Sequence, residues 1–274
     1  MNFVSLVTTA AFRMMKKPST MTKSKHAASY LILGASGGIG SALCHRLHDA
    51  GHRIFLASRD SERLQTLSET LRAPKQVVDA TSLSSVQSCF DQATEEFGPL
   101  DGVVNCVGSI LLKPAHLTSE EEWNRTLSIN LTSAFATVRG AGKSMLKHGG
   151  SVVLMSSAAA QVGLASHEAI AAAKAGVIGL AKSAAASYAG RGLRFNVVAP
   201  GLVKTPLTAK IWESERSAAA SIAMHPLGRL GEPNDAASMI EWLLQTENSW
   251  ITGEVFSIDG GLSTVRGVSR AVSR

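Results

Sequence analysis

The chain has 274 residues, 45% apolar and 18% charged, which is enough to bury a large core and excludes wholesale disorder and a coiled coil. Its formal charge of +6 sits in the tails: Arg13, Lys16, Lys17, Lys23 and Lys25 precede residue 30 with no acid among them, and Arg266, Arg270 and Arg274 close the chain. Without those charges the body is mildly acidic, so no basic stripe is expected there, and aromatics at 5% offer no stacking platform; nucleic-acid binding is set aside.

Residues 1–28 show no clear period and are rich in Ser, Thr and Lys, as in a disordered leader or a targeting segment, with Met14, Met15 and Met21 as alternative starts. No run of about 18 uncharged apolar residues occurs, so no membrane-spanning helix is expected. From Ser29 the chain alternates strand and helix. Strands are predicted at Tyr30–Leu33, Arg53–Ala57, Gln76–Val78, Leu100–Val104, Ser151–Met155, Leu193–Val198 and Val255–Ile258. Between them fall helical stretches: one through Leu43 and Leu47, then Asp60–Leu71 with Asp60 as cap, Leu83–Phe97, Ser119–Lys147, and an alanine-rich helix running to about Ala189. Short apolar strands separated by helices predict an α/β fold: a single doubly wound Rossmann-type domain, 29–265, on a mostly parallel seven-stranded sheet, followed by a basic tail, 266–274.

The first strand runs through Gly34, Ser36, Gly37, Gly38, Ile39 and Gly40 directly into a helix. Glycines let the backbone turn sharply and approach a pyrophosphate, while free N–H groups at the helix start attract the anion. At the end of the second strand an acid would select NAD, and a basic residue would meet the 2′-phosphate of NADP. Ser58 stands where the acid is expected, 20 residues after Gly38, and Arg59 follows it, which favours NADP(H) over NAD(H). The other reading of Arg59 is a surface pair with Asp60 or Glu62. Cys44, Cys89 and Cys106 fit no metal spacing and no disulfide framework, which suggests a reducing, cytoplasmic setting.

These motifs resemble those of the classical short-chain dehydrogenase/reductase family, over about 245 residues. The likeness rests on the glycine turn (Gly34, Gly38, Gly40), on Asp79 followed by Ala80, on Asn105, Cys106, Val107 and Gly108 as an altered N-N-A-G, and on Asn130 and Ser157. Lys174, the stretch Pro200, Gly201, Val203 and Thr205, and the later Pro226–Pro233 and Asp259–Gly261 complete it. The resemblance implies a dinucleotide cofactor, with Asp79 at the adenine and Pro200–Thr205 at the carboxamide end of the nicotinamide. It further implies Ser157 on a substrate carbonyl, Lys174 on the nicotinamide ribose, Asn130 holding a water, and a homotetramer or homodimer.

One position departs from that pattern. The family places a tyrosine four residues before the lysine, and here Ile170 occupies that site, while Tyr30 and Tyr188 lie elsewhere. In the enoyl-reductase branch the tyrosine is seven residues before the lysine, where this chain has His167. Offsets of four and seven share a helix face, so His167 and Ile170 would both look toward the cofactor if the helix began with Ser166 as cap. A neutral imidazole there would have one N–H to donate; the plain alternative is a capping residue. The expected catalytic set is therefore Ser157, Lys174, Asn130 and His167, with no metal. The function reads as an NADP(H)-dependent oxidoreductase on a small carbonyl, alcohol or enoyl substrate, and alternatively as an inactive dinucleotide-binding sensor or scaffold. Pro206–Met224, with Leu207, Ile211, Trp212, Ile222 and Met224, falls where the family has its substrate-covering segment.

Overall fold

In the computed structural model, which describes residues 27–266, neighbouring strands all run parallel. The strands are β1 (Ser29–Leu33), β2 (Arg53–Ser58), β3 (Lys75–Val77), β4 (Gly102–Asn105), β5 (Gly150–Met155), β6 (Leu193–Pro200) and β7 (Val255–Ile258), in the order β3-β2-β1-β4-β5-β6-β7. The sheet is thus wholly, not mostly, parallel, and β7 joins β6 in the same direction. Alternation along each strand explains the two layers. Leu31, Leu33, Phe55, Val103, Val152, Leu154 and Phe195 point to one face, and Tyr30, Ile32, Ile54, Leu56, Val104 and Val153 to the other.

The first face is covered by α3 (Leu83–Phe97), α5 (Ser133–Ser144) and α6 (Glu168–Tyr188) through Phe90, Ala134, Ala141, Val177 and Ala181. The second is covered by α1 (Gly38–Asp49), α2 (Ser61–Leu71) and α9 (Pro233–Leu244) through Leu43, Leu47, Leu64, Ile240 and Leu243. Asp60 caps α2 as expected, accepting the Arg63 N–H at 3.0 Å. Two short helices, α7 (Ala209–Trp212) and α8 (Glu215–Met224), follow β6.

Two expectations are corrected. The helical region expected over 119–147 begins at α4 (Glu120–Leu127), passes through a wide turn at Ser128–Thr132 and ends with α5; the extra residue in that turn re-aims Asn130. Ser166 does not cap α6: its φ is +62°, and His167 holds the cap position without a side-chain capping bond. Residues 168–191 are long and apolar enough to cross a membrane by length and composition alone. That stretch includes Lys174 and Lys182, and its Val177, Ala181, Ala184 and Ala185 pack in the core beneath the sheet. The expected leader and basic tail, but for residues 27, 28 and 266, lie outside the described residues.

Candidate active site

Strand order reverses between β1 and β4, and the crevice at their carboxyl ends is where open parallel sheets bind ligands. A groove of about 720 Å³ lies there, lined by Gly34, Ser36, Gly37, Gly38, Ile39 and Gly40, by Ser58 and Arg59, and by Asp79 and Ala80. Gly34 needs to be glycine, because its φ is +77° and a Cβ would lie 2.8 Å from the Cys106 and Val107 backbone. The N-cap of α1, Gly37, brings no side-chain bond, and the first turn holds no acid, so the helix start is free to meet an anion. The Ser36 and Ser58 hydroxyls meet at 2.6 Å beneath the groove. Arg59 is exposed on the rim and makes no hydrogen bond or ion pair with a described residue; Asp60 pairs instead with Arg63. Asp79 accepts the Thr81 hydroxyl and N–H at 2.7 and 3.0 Å, and those bonds, with Arg59 nearby, hold its carboxyl below the usual range.

The groove continues past Cys106, Gly108 and Ser109 into a second cavity of about 250 Å³. Its wall carries Ser157, His167, Ile170 and Lys174, then Pro200, Gly201, Val203 and Thr205 from the end of β6. Leu207, Ile211 and Met224 from α7, α8 and the turn before them close it over, with Leu112 and Leu164 opposite. Sequence reasoning thus brings its residues to one continuous crevice, with two exceptions. Asn105 is fully buried behind the wall: its amide donates to Thr137 Oγ1 at 3.0 Å and its Oδ1 accepts the Val107 N–H at 2.8 Å. It shapes the loop and does not line the groove. Asn130 is likewise buried, its Nδ2 donating to Ser109 Oγ and Thr126 O at 2.8 and 3.0 Å. It reaches the site only through Ser109 and through Gly108, where a Cβ would lie 3.3 Å from Asn130 Oδ1 and 3.5 Å from Lys174 Nζ.

Lys174 is 6% exposed, and its ammonium donates to Met155 O at 2.9 Å. Burial lowers its pKa from 10.5 to about 8, with only a small opposing effect from Cys106. The Cys106 thiol itself is pushed up to about 12 by burial, which keeps it protonated. Ser157 Oγ accepts the Ala159 N–H at 3.2 Å, so its own proton remains available to the cavity. His167 Nδ1 lies 2.7 Å from Ala165 O. A carbonyl only accepts, so Nδ1 carries a proton, and in the uncharged form of the ring Nε2 is an acceptor. In that form the one N–H expected to face the cavity is directed at Ala165 O.

Sequence reasoning missed Ser109, and it missed His225, which lies between the end of α8 and Pro226. The only available signal for His225 was a histidine directly before the Pro226–Leu227–Gly228–Arg229 motif.

The family model described as enoyl-(acyl carrier protein) reductase matches residues 34–263. D-threitol dehydrogenase of Mycolicibacterium smegmatis is 35% identical, covering 84% of this chain and 91% of the relative. A 3-oxoacyl-[acyl-carrier-protein] reductase of Vibrio cholerae is 34% identical, covering 85% and 96%. Among solved structures, a short-chain type dehydrogenase/reductase from Mycobacterium ulcerans superposes with a TM-score of 0.84 at 30% identity, covering 88% of this chain and 91% of that one. A variant of the actinorhodin polyketide ketoreductase solved with NADPH gives 0.83 at 27% identity, covering 87% and 98%. The groove, the cavity and these likenesses agree: the chain belongs to the short-chain dehydrogenase/reductase family of oxidoreductases.

Proposed function

We propose that the protein is an NADP(H)-dependent oxidoreductase that moves hydride between the nicotinamide and a carbonyl, alcohol or enoyl substrate, using a proton donor other than the family's tyrosine. The observation that carries this reading is the single crevice that runs from the glycine turn to Ser157, His167 and Lys174. The groove suits the cofactor: the α1 start would take the pyrophosphate, Ser58 and Arg59 the 2′-phosphate, Asp79 and Ala80 the adenine side, and Pro200, Gly201, Val203 and Thr205 the carboxamide. When bound, that cofactor supplies or accepts the hydride.

The chain's own groups handle binding and the proton. The Ser157 hydroxyl donates to the substrate oxygen as charge develops on it. Lys174, cationic below about pH 8, holds the ribose hydroxyls, and Asn130, behind Gly108 and Ser109, steadies that wall. His167 Nε2 takes the proton of an alcohol when carbonyl is formed; in reduction the protonated ring returns it to the oxygen. Ile170, buried four residues before Lys174, brings no proton of its own. It also favours the second reading, a cofactor-binding sensor or scaffold without turnover.

The cavity's apolar roof of Leu207, Ile211 and Met224 suits a moderately hydrophobic substrate. A homotetramer or homodimer fits the exposed small face of α6 at Ala172, Ala175 and Gly179 and the exposed Phe135 on α5. Three free thiols suit a reducing cytoplasm, and residues 29–265 form the one proposed domain.

The deciding experiment measures NADPH binding by fluorescence, then NADPH oxidation against a panel of ketones, 3-oxoacyl thioesters and enoyl thioesters. Ser157→Ala and His167→Ala should each lower the rate at least about tenfold with NADPH affinity unchanged. Binding without turnover on every substrate would favour the sensor, and no binding would remove both readings.

A further inference from the structure

His225 takes no part in the reaction proposed above, yet its ring is buried and held at both nitrogens. It is 3% exposed, with Nδ1 2.6 Å from Ser221 O and Nε2 3.2 Å from Leu202 N. A carbonyl only accepts and a backbone N–H only donates, so the ring is neutral with its proton on Nδ1. The two bonds differ in reach. Ser221 lies four residues back on α8, and its bond fixes the ring's orientation; Leu202 lies 23 residues away in the turn after β6. The second bond therefore joins the end of the helical lid, 209–224, to the sheet. The lid is tied at its other end by Trp212, whose indole N–H donates to Thr205 O at 3.0 Å.

The surroundings are built to admit the ring. A Cβ on Gly201 would lie 2.5 Å from His225 Nε2, so only glycine at that position leaves the imidazole its place. With Gly201 and Leu202, the ring also forms the partition between the 250 Å³ cavity and a rear cavity of about 540 Å³. The charged groups of that rear cavity are engaged with one another or with backbone N–H groups. Arg229 pairs with Asp235 at 2.6 Å, and Asp259 accepts the Gly261 and Ser263 N–H groups at 2.9 and 3.0 Å.

We propose that His225 is a positioning residue: by accepting the Leu202 N–H through Nε2, it clamps the lid against the turn after β6 and so sets the wall of the catalytic cavity. That this wall faces a cofactor and its substrate rests on the function proposed above; the clamp itself does not.

The test separates the two bonds. His225→Gln keeps an acceptor within reach of Leu202, whereas His225→Asn keeps only a short donor toward Ser221. Lid opening is read as the initial rate of trypsin cleavage after Lys210 and Arg216 in the full-length protein, followed by mass spectrometry, with NADPH affinity measured alongside. An orphaned buried N–H should raise lid cleavage in His225→Asn about tenfold or more, while His225→Gln stays within about threefold of the parent. Should the asparagine variant not fold, His225→Phe, which fills the space with neither bond, takes its place. Equal cleavage of the glutamine and asparagine (or phenylalanine) variants, or no increase in either, would overturn the clamp. Loss of NADPH binding in the parent protein would instead sink the proposed function and leave the cleavage comparison intact.

Discussion

Lys174→Met tests whether the site carries a charge at the expense of the fold. The ammonium is buried, has Met155 O at 2.9 Å as its protein acceptor, and has its pKa lowered by burial from 10.5 to about 8. That fall corresponds to about 3 kcal/mol against the charged form. Below pH 8 the lysine is protonated in both the folded and unfolded states, so the full cost weighs on the fold. Between 8 and 10.5 the unfolded chain still holds the proton that the native state has released. Native stability therefore rises with pH there, by at most about 1.4 kcal/mol per unit, until both states are neutral. Methionine removes the cost but leaves the Met155 carbonyl without its donor, worth about 1 kcal/mol. At pH 7 the variant should thus be more stable than the parent by about 2 kcal/mol, and that advantage should shrink above pH 8 and vanish before 10.5. Urea unfolding of both proteins at pH 7, 8, 9 and 10, at one protein concentration, measures it. A variant less stable at pH 7, or a difference that stays flat across the series, would refute the reasoning. NADPH affinity should meanwhile fall at least about tenfold, since a charge kept at such cost is expected to serve a site.

Gly40→Ala should destabilise the fold by about 2 kcal/mol or more and abolish NADPH binding, because its Cβ would meet the Gly34 carbonyl oxygen; thermal melting and fluorescence titration check both. Arg59→Ala should raise the KM for NADPH about tenfold and leave that for NADH nearly unchanged, and Ser58→Asp should move the preference further toward NADH, both read from initial rates. Ile170→Tyr should increase carbonyl reduction at least about tenfold over an Ile170→Phe control of similar size; equal rates would show that this position does not reach the reacting oxygen.

The fold was legible because its signals are local and repeated. Most strands are short apolar runs next to a glycine turn or capped helix, and alternation assigns their residues to the two buried faces that the structure displays, whereas β3 is short and largely exposed. The groove was legible for the same reason, since Gly34–Gly40 and Ser58–Arg59 are contiguous in sequence. What escaped depends on backbone angles and on partners far along the chain. The φ of +62° at Ser166 shifted the start of α6 by one residue and placed His167 at the cap, where its Nδ1–H donates to Ala165 O. The wide turn at Ser128–Thr132 aims Asn130 at Ser109, 21 residues away, and no periodicity announces it. Asn105 looked like a ligand because of its neighbours, yet its amide is bonded to Thr137 on α5.

The placement of cost across the crevice favours turnover over simple binding. A pocket that only held a dinucleotide would need the glycine turn, the free helix start and Arg59, all of which lie in the exposed groove and cost the fold little. The expensive groups lie beyond it. Lys174 is desolvated, and Asn130 is buried in a helix that departs from regular geometry to aim it. Ser157 keeps its hydroxyl proton while its oxygen accepts from Ala159, and the His167 ring is fixed so that one nitrogen stays uncommitted. These four groups gather where the groove narrows to 250 Å³ under an apolar roof, a setting in which a donor or a charge acts most strongly on a reacting oxygen. Ile170 alone runs against this, and His167, three residues earlier at the cap of α6 and on the same cavity wall, is the group we propose in its place.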